Sequence, residues 1–99
     1  MAYSSSMKFE WDSDKNDACF TQRGFDFAYV LRAFLDAERI IHKDTRWDYG
    51  ETRYQLLGAI DGRVFFVVYT IRGNIIRLIS ARKANQREIQ EYENSSRKN

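Results

Sequence analysis

Ninety-nine residues, 43% of them hydrophobic and 30% charged, suffice for one domain with one apolar core and leave no room for a second. A single cysteine, Cys19, excludes an internal disulfide, and no charged-then-apolar leader or long apolar run points to export or to a membrane span, so a cytoplasmic protein is expected. The net charge of +2 hides a skew: residues 1–49 hold 7 basic and 9 acidic side chains and residues 50–99 hold 9 and 5, so a polyanion is drawn to the second half.

In chain order, residues 1–6 are small and polar and are expected to be disordered, a single domain is expected over residues 7–94, and residues 95–99 are expected to fray. Lys8-Phe9-Glu10-Trp11 alternates as a short strand does. Asp12 or Ser13 then caps a rather polar helix running to about Arg23, where Gly24 ends it. Asp26 caps a second helix whose Phe27, Val30, Leu31, Phe34 and Leu35 fall at i, i+3, i+4, i+7 and i+8, with Arg32, Asp36 and Glu38 on its wet face. Glu38 to Asp44 reads as a strand on Ile40 and Ile41, and Thr45 to Glu51 as a polar loop bearing Trp47 and Tyr49.

Thr52–Ile60 and Arg63–Ile71 are strands joined by Asp61-Gly62, a strong two-residue hairpin signal. The unbroken apolar run Phe65-Phe66-Val67-Val68 predicts a central strand buried on both faces. Arg72-Gly73-Asn74 turns into a last strand, Ile75 to Arg82 or Lys83. Asn85-Gln86-Arg87-Glu88 predicts a capping box opening a helix to about Glu93, with Ile89 and Tyr92 facing the core. The whole reads as α+β: an antiparallel four-stranded sheet plus a short N-terminal strand, two helices before it and one after. Arg82, Lys83 and Arg87 cluster where the last strand meets a helix start, a place suited to a phosphate.

Phe9-Glu10-Trp11-Asp12 with Lys15, Gly24-Phe25, Glu51 with Arg53 and Gly58, and above all Arg77-Leu78-Ile79-Ser80-Ala81-Arg82-Lys83-Ala84 with Arg87-Glu88 and Tyr92 resemble the BrnT family. The resemblance covers nearly all of the chain from Met7 to Tyr92. It implies a RelE-like ribonuclease toxin of a type II toxin–antitoxin system, silenced by a ribbon-helix-helix antitoxin of the BrnA type in a hetero-oligomeric complex. Two features depart from the family pattern. Gln22-Arg23-Gly24 stands where the family commonly has Lys-His-Gly, and the segment from Lys43 to Glu51 carries Trp47 and Tyr49.

Metal-free RNA cleavage must activate a 2′-hydroxyl, stabilise extra charge on the phosphate and protonate the leaving 5′-oxygen. Arg82 suits the second role, helped by Lys83 or Arg87, because a guanidinium matches phosphate oxygens and stays charged. Lys15, Glu88 and Tyr69 are the candidate acid and base, and Trp11, Tyr69 or Trp47 could stack a base. Arg77 is a further phosphate-binding candidate, but strand parity puts Arg77 and Arg82 on opposite faces unless a bulge intervenes, so its alternative assignments are the antitoxin or a neighbouring acid. The competing reading of Arg82 and Arg87 is a surface ion pair with Glu88 or Glu91, and that of His42 and Cys19 is a structural residue without catalytic work. No metal or cofactor is expected. The rival function is a non-catalytic module that binds nucleic acid or a partner within a toxin–antitoxin repressor complex.

Overall fold

The computed structural model describes residues 8–97; the serine-rich start and the last two residues lie outside it. Strand β1 (Lys8–Trp11) leads into α1 (Ser13–Arg23), whose start is fixed by Asp12 accepting from the N–H groups of Asp14 and Lys15. Gly24 ends α1 at φ 83°, its N–H donating to the Phe20 carbonyl, a conformation glycine adopts without a side-chain clash. Asp26 caps α2 (Phe27–Val30), which continues as a 3₁₀ turn over Leu31–Leu35. Strands β2 (Ile40–Asp44), β3 (Arg53–Ile60), β4 (Arg63–Arg72) and β5 (Ile75–Lys83) follow, and α3 (Gln86–Arg97) closes the fold.

The sheet order is β1-β5-β4-β3-β2. The expected antiparallel meander is present, joined at Asp61-Gly62 by a tight turn with φ of 50° and 83°. The N-terminal strand corrects the expectation: β1 is the fifth strand, running parallel to β5, so the sheet is mixed. Such a pairing joins residues far apart in sequence and leaves no local mark. Helices cover both faces. On one, Phe27, Val30, Ala33 and Phe34 pack on Leu56, Phe65, Val67, Tyr69, Ile76 and Leu78; on the other, Ile89 and Tyr92 of α3 pack on Leu57, Val64, Phe66 and Val68. Strand β4, buried from Val64 to Thr70, is the centre the apolar run predicted.

Three further details differ from the sequence reading. The tightening of the second helix to three residues per turn rotates its end, so Leu35 is 77% exposed while Phe34 stays buried. Asp36 leaves the wet face and accepts from the Ala59 N–H and the Tyr92 hydroxyl, capping the part of β3 that β2 leaves unpaired and tying it to α3. Finally, α3 continues past Glu93 to Arg97.

Candidate active site

The register between β4 and β5 slips at Val68/Tyr69: Val68 stands opposite Ser80 but Tyr69 opposite Leu78, so Ile79 is an extra residue in β5. That bulge inverts the parity of the strand. Arg77 opposite Thr70, Ser80 opposite Val68 and Arg82 opposite Phe66 all fall on the face that α3 covers in part. An unbroken strand would have separated Arg77 from Arg82.

Arg82 lies over the Phe66 ring, its guanidinium carbon 4.2 Å from the centroid. Its Nη1 and Nη2 donate to Glu88 Oε1 and Oε2 at 2.8 and 2.9 Å, and Nη1 also to the Lys83 carbonyl at 3.2 Å. The ion pair of the competing reading is therefore formed. It occupies only the end of the fork, however, and leaves Nε–H and the second Nη2–H, which form the side edge, without a partner among the described residues. Glu88 in turn accepts from the Asn85 N–H at 2.8 Å while Asn85 Oδ1 accepts from the Glu88 N–H, the reciprocal capping box. Burial pushes the Glu88 carboxyl up, but hydrogen bonds from Arg82 and Asn85 and the charge of Arg87 outweigh it and hold it below its usual range. A carboxylate so held orients Arg82 and is a weak base.

Strand β1 stops opposite Leu78, so the rest of β5 faces α1 across an open edge. On α1 the stripe Lys15, Ala18, Cys19, Gln22 (i, i+3, i+4, i+7) points there, and the Cys19 thiol donates weakly to the Ala81 carbonyl. Between this stripe and β5 runs a cavity of about 420 Å³. Its cations are Lys15 and Arg23 from α1, Arg82 from β5 and Arg46 from the loop after β2; Ser80 and Gln22 add polar groups, and no carboxylate lines it among the described residues. Arg46 is aimed by a bidentate pair with Asp44, whose buried carboxylate also accepts from the Tyr49 hydroxyl. The Arg46 side-chain hydrogen bonds, working against burial, hold Asp44 far below the ordinary carboxylate range, so this brace is charged at neutral pH.

The groove thus unites two of the expected residues, Arg82 and Lys15, with Glu88 behind Arg82. Arg87 lies beyond Glu88 in crevices along α3, and Lys83 points the other way into a separate aromatic cavity. Arg77 shares the Arg82 face but sits about 14 Å along the strand, paired with Glu10 at 3.0 Å, the neighbouring acid foreseen for it. Tyr69 and Trp11 are not brought to the groove: Tyr69 is buried on the α1–α2 face between Phe34 and Tyr54, and the half-buried Trp11 packs edge-on against Phe27. Trp47 is 74% exposed but does not line the groove. His42 pairs with Glu91 at 2.5 Å on the α3 side. Burial pushes the Cys19 thiol up, which keeps it a neutral neighbour. The residues that sequence reasoning missed are Arg23, whose signal was its place in the departing Gln22-Arg23-Gly24 triplet, and Arg46, whose loop gave none.

Residues 11–88 match the sequence profile of the BrnT ribonuclease toxin of type II toxin–antitoxin systems. The chain belongs to the BrnT family. No curated protein matches it. The matched span contains every residue of this BrnT groove, from Lys15 to Arg82, together with Glu88 as its last position. A BrnT toxin is a ribonuclease with an antitoxin partner, and the groove offers an RNA backbone what it needs: fixed positive charge in a trough. Among the described residues no helix is long and apolar enough to cross a membrane, and no group of three or more His, Cys, Asp or Glu side chains could hold a metal ion.

Proposed function

We propose that this protein is an endoribonuclease toxin that cuts RNA in the α1–β5 groove without a metal, arrests translation and growth, and is silenced by a ribbon-helix-helix antitoxin of the BrnA type. The observation that carries this reading is the trough of Lys15, Arg23, Arg46 and Arg82, lined by no carboxylate among the described residues. It suits a phosphodiester and repels a divalent cation. A phosphate that meets the side edge of Arg82 receives two parallel N–H donors while Glu88 keeps the end of the fork in place. Attack by the 2′-oxygen then places a second negative charge on phosphorus, and the four cations stabilise it more than the ground state. Lys15 brings an ammonium where the other three groove cations are guanidinium groups, which hold their protons throughout, so it is assigned to the leaving 5′-oxygen. Among the described residues the groove supplies no strong base, so the 2′-hydroxyl proton passes to solvent water as the 2′-oxygen attacks, and electrostatic stabilisation of the transition state carries most of the rate.

Purified protein incubated with RNA in EDTA tests the proposal: transcripts shorten with the wild type and survive with Arg82→Ala, while the far-UV circular dichroism of the two is the same. Equal cutting by the variant overturns the site. A second reading, a binding module without catalysis, is favoured by Arg23 at the place of the family's histidine. RNA that is retained, increasingly so as salt falls, and never cut would establish it.

A further inference from the structure

On the other side of Arg23 from the groove lies a second cavity, of about 480 Å³, between the end of α1, the start of α2 and the β3–β4 hairpin. Its walls are aromatic. Phe20 is 59% exposed at the mouth, an unusual position for a phenylalanine without a partner, while Phe25 and Tyr29 form the interior, braced edge-on by Phe65. Arg32 rests over the Tyr29 ring and holds it. The cavity adjoins the groove: Arg23 lines both, and the adjacent residues Arg82 and Lys83, pointing to opposite faces of β5, line one each. A strand whose phosphate lies on Arg82 therefore has an aromatic slot beside it.

We propose that this cavity is the base-recognition subsite of the ribonuclease and that it takes guanine from the nucleotide flanking the cut phosphate; this rests on the ribonuclease reading above. The size falls within the roughly 300–1,000 Å³ of small-molecule sites, and unstacked RNA bases are held by aromatic faces with cations on the backbone. Two carboxylates line the cavity, and since Asp61 is held by Arg32 at 2.9 Å, the choice of base is assigned to Asp26. Its Oδ1 caps α2 by accepting from the Tyr29 N–H at 2.9 Å, and its Oδ2 has no partner among the described residues. Guanine alone presents two adjacent donors, N1–H and the exocyclic amine, on its Watson–Crick edge, and a carboxylate accepts both. The edges of adenine, cytosine and uracil each put an acceptor against it.

The test uses the full chain and two readouts. Sequencing the ends of cut transcripts gives the base composition around the cleavage point, and fluorescence anisotropy gives affinity for short oligonucleotides made uncleavable by a 2′-deoxy sugar, with guanine, inosine or adenine at the flanking position. The expected result is guanine enriched at one fixed position beside the cut and guanine bound about tenfold better than inosine, which lacks the amine. Asp26→Asn, which keeps the helix cap, levels that preference, and Phe20→Ala, at an exposed position, weakens binding of all three oligonucleotides. Cleavage with no flanking preference, equal affinity for guanine and inosine in the wild type, or a preference that survives Asp26→Asn overturns the subsite. RNA that stays uncut while the guanine preference in binding persists sinks the catalytic reading and leaves the subsite standing.

Discussion

In the proposed site Arg82 serves Glu88 and an RNA phosphate with one guanidinium, and its fork is divided accordingly: the end edge belongs to Glu88 and the side edge faces no partner among the described residues. The division makes the two residues separable by mutation. Arg82→Ala removes the phosphate donors and is expected to lower kcat about 10²–10³-fold, the usual cost of losing a donor to a developing oxyanion. Glu88→Gln keeps one acceptor and the cap but loosens the fork, so a smaller fall in kcat with a KM near that of the wild type is expected. Single-turnover kinetics on a defined RNA separates the two. Lys15→Ala is expected to lower kcat about 10²-fold, and Lys15→Arg, which keeps the charge but holds its proton too tightly to give up, recovers affinity without recovering kcat. Full rescue by arginine would show that Lys15 acts by charge alone.

At the scale of elements, each device that places a groove cation is a local rule of sequence or a departure from one. The helix α1 that carries Lys15 was legible, as were the capping box, the hairpin turn and the central strand, but the stripe by which α1 faces β5 was not. The bulge at Ile79 was not, because a strand's register is decided by its neighbour and not by its own residues. The same blindness hid Arg46, since nothing in a polar loop says which way it crosses a sheet. It also made Tyr69 and Trp11 plausible site residues, when their rings were needed to fill the core under α2. Two stability tests belong here. A Cβ at Gly58 would meet the Ala33 carbonyl oxygen at 2.5 Å, both atoms being held by backbone. Gly58→Ala is therefore expected to cost about 1–3 kcal/mol in urea unfolding. The Asp44 brace of Arg46 and Tyr49 is expected to cost about 1–3 kcal/mol when Asp44 becomes Asn. Asp44, Glu88 and Asp36 all titrate below their ordinary values in the folded state; for Asp36, burial acts upward and is outweighed by hydrogen bonds from Tyr92 and the Ala59 N–H. A depressed carboxyl contributes stability above its unfolded pKa, about 4, and loses it as pH falls through the folded value. Melting temperature should thus drop steeply below pH 4, and less steeply in Asp44→Asn.

For the molecule as a whole, the modest net charge of +2 misrepresents the surface an RNA meets, because the acids are paired or placed elsewhere and four cations face one trough. Counterion release from a single strand scales as about 0.7 per neutralised phosphate, so the logarithm of RNA affinity is expected to fall with the logarithm of salt at a slope near −3, and near −2 in Arg23→Ala. The groove is also assembled from distant parts of the chain. The groove lies between α1, which carries Lys15, and β5, which is the last strand made. A ribosome translating this message therefore carries a harmless nascent polypeptide until the final third is out of the exit tunnel. Nonsense fragments ending before Ile75 should be tolerated at any expression level, and a host cell is endangered only by finished copies.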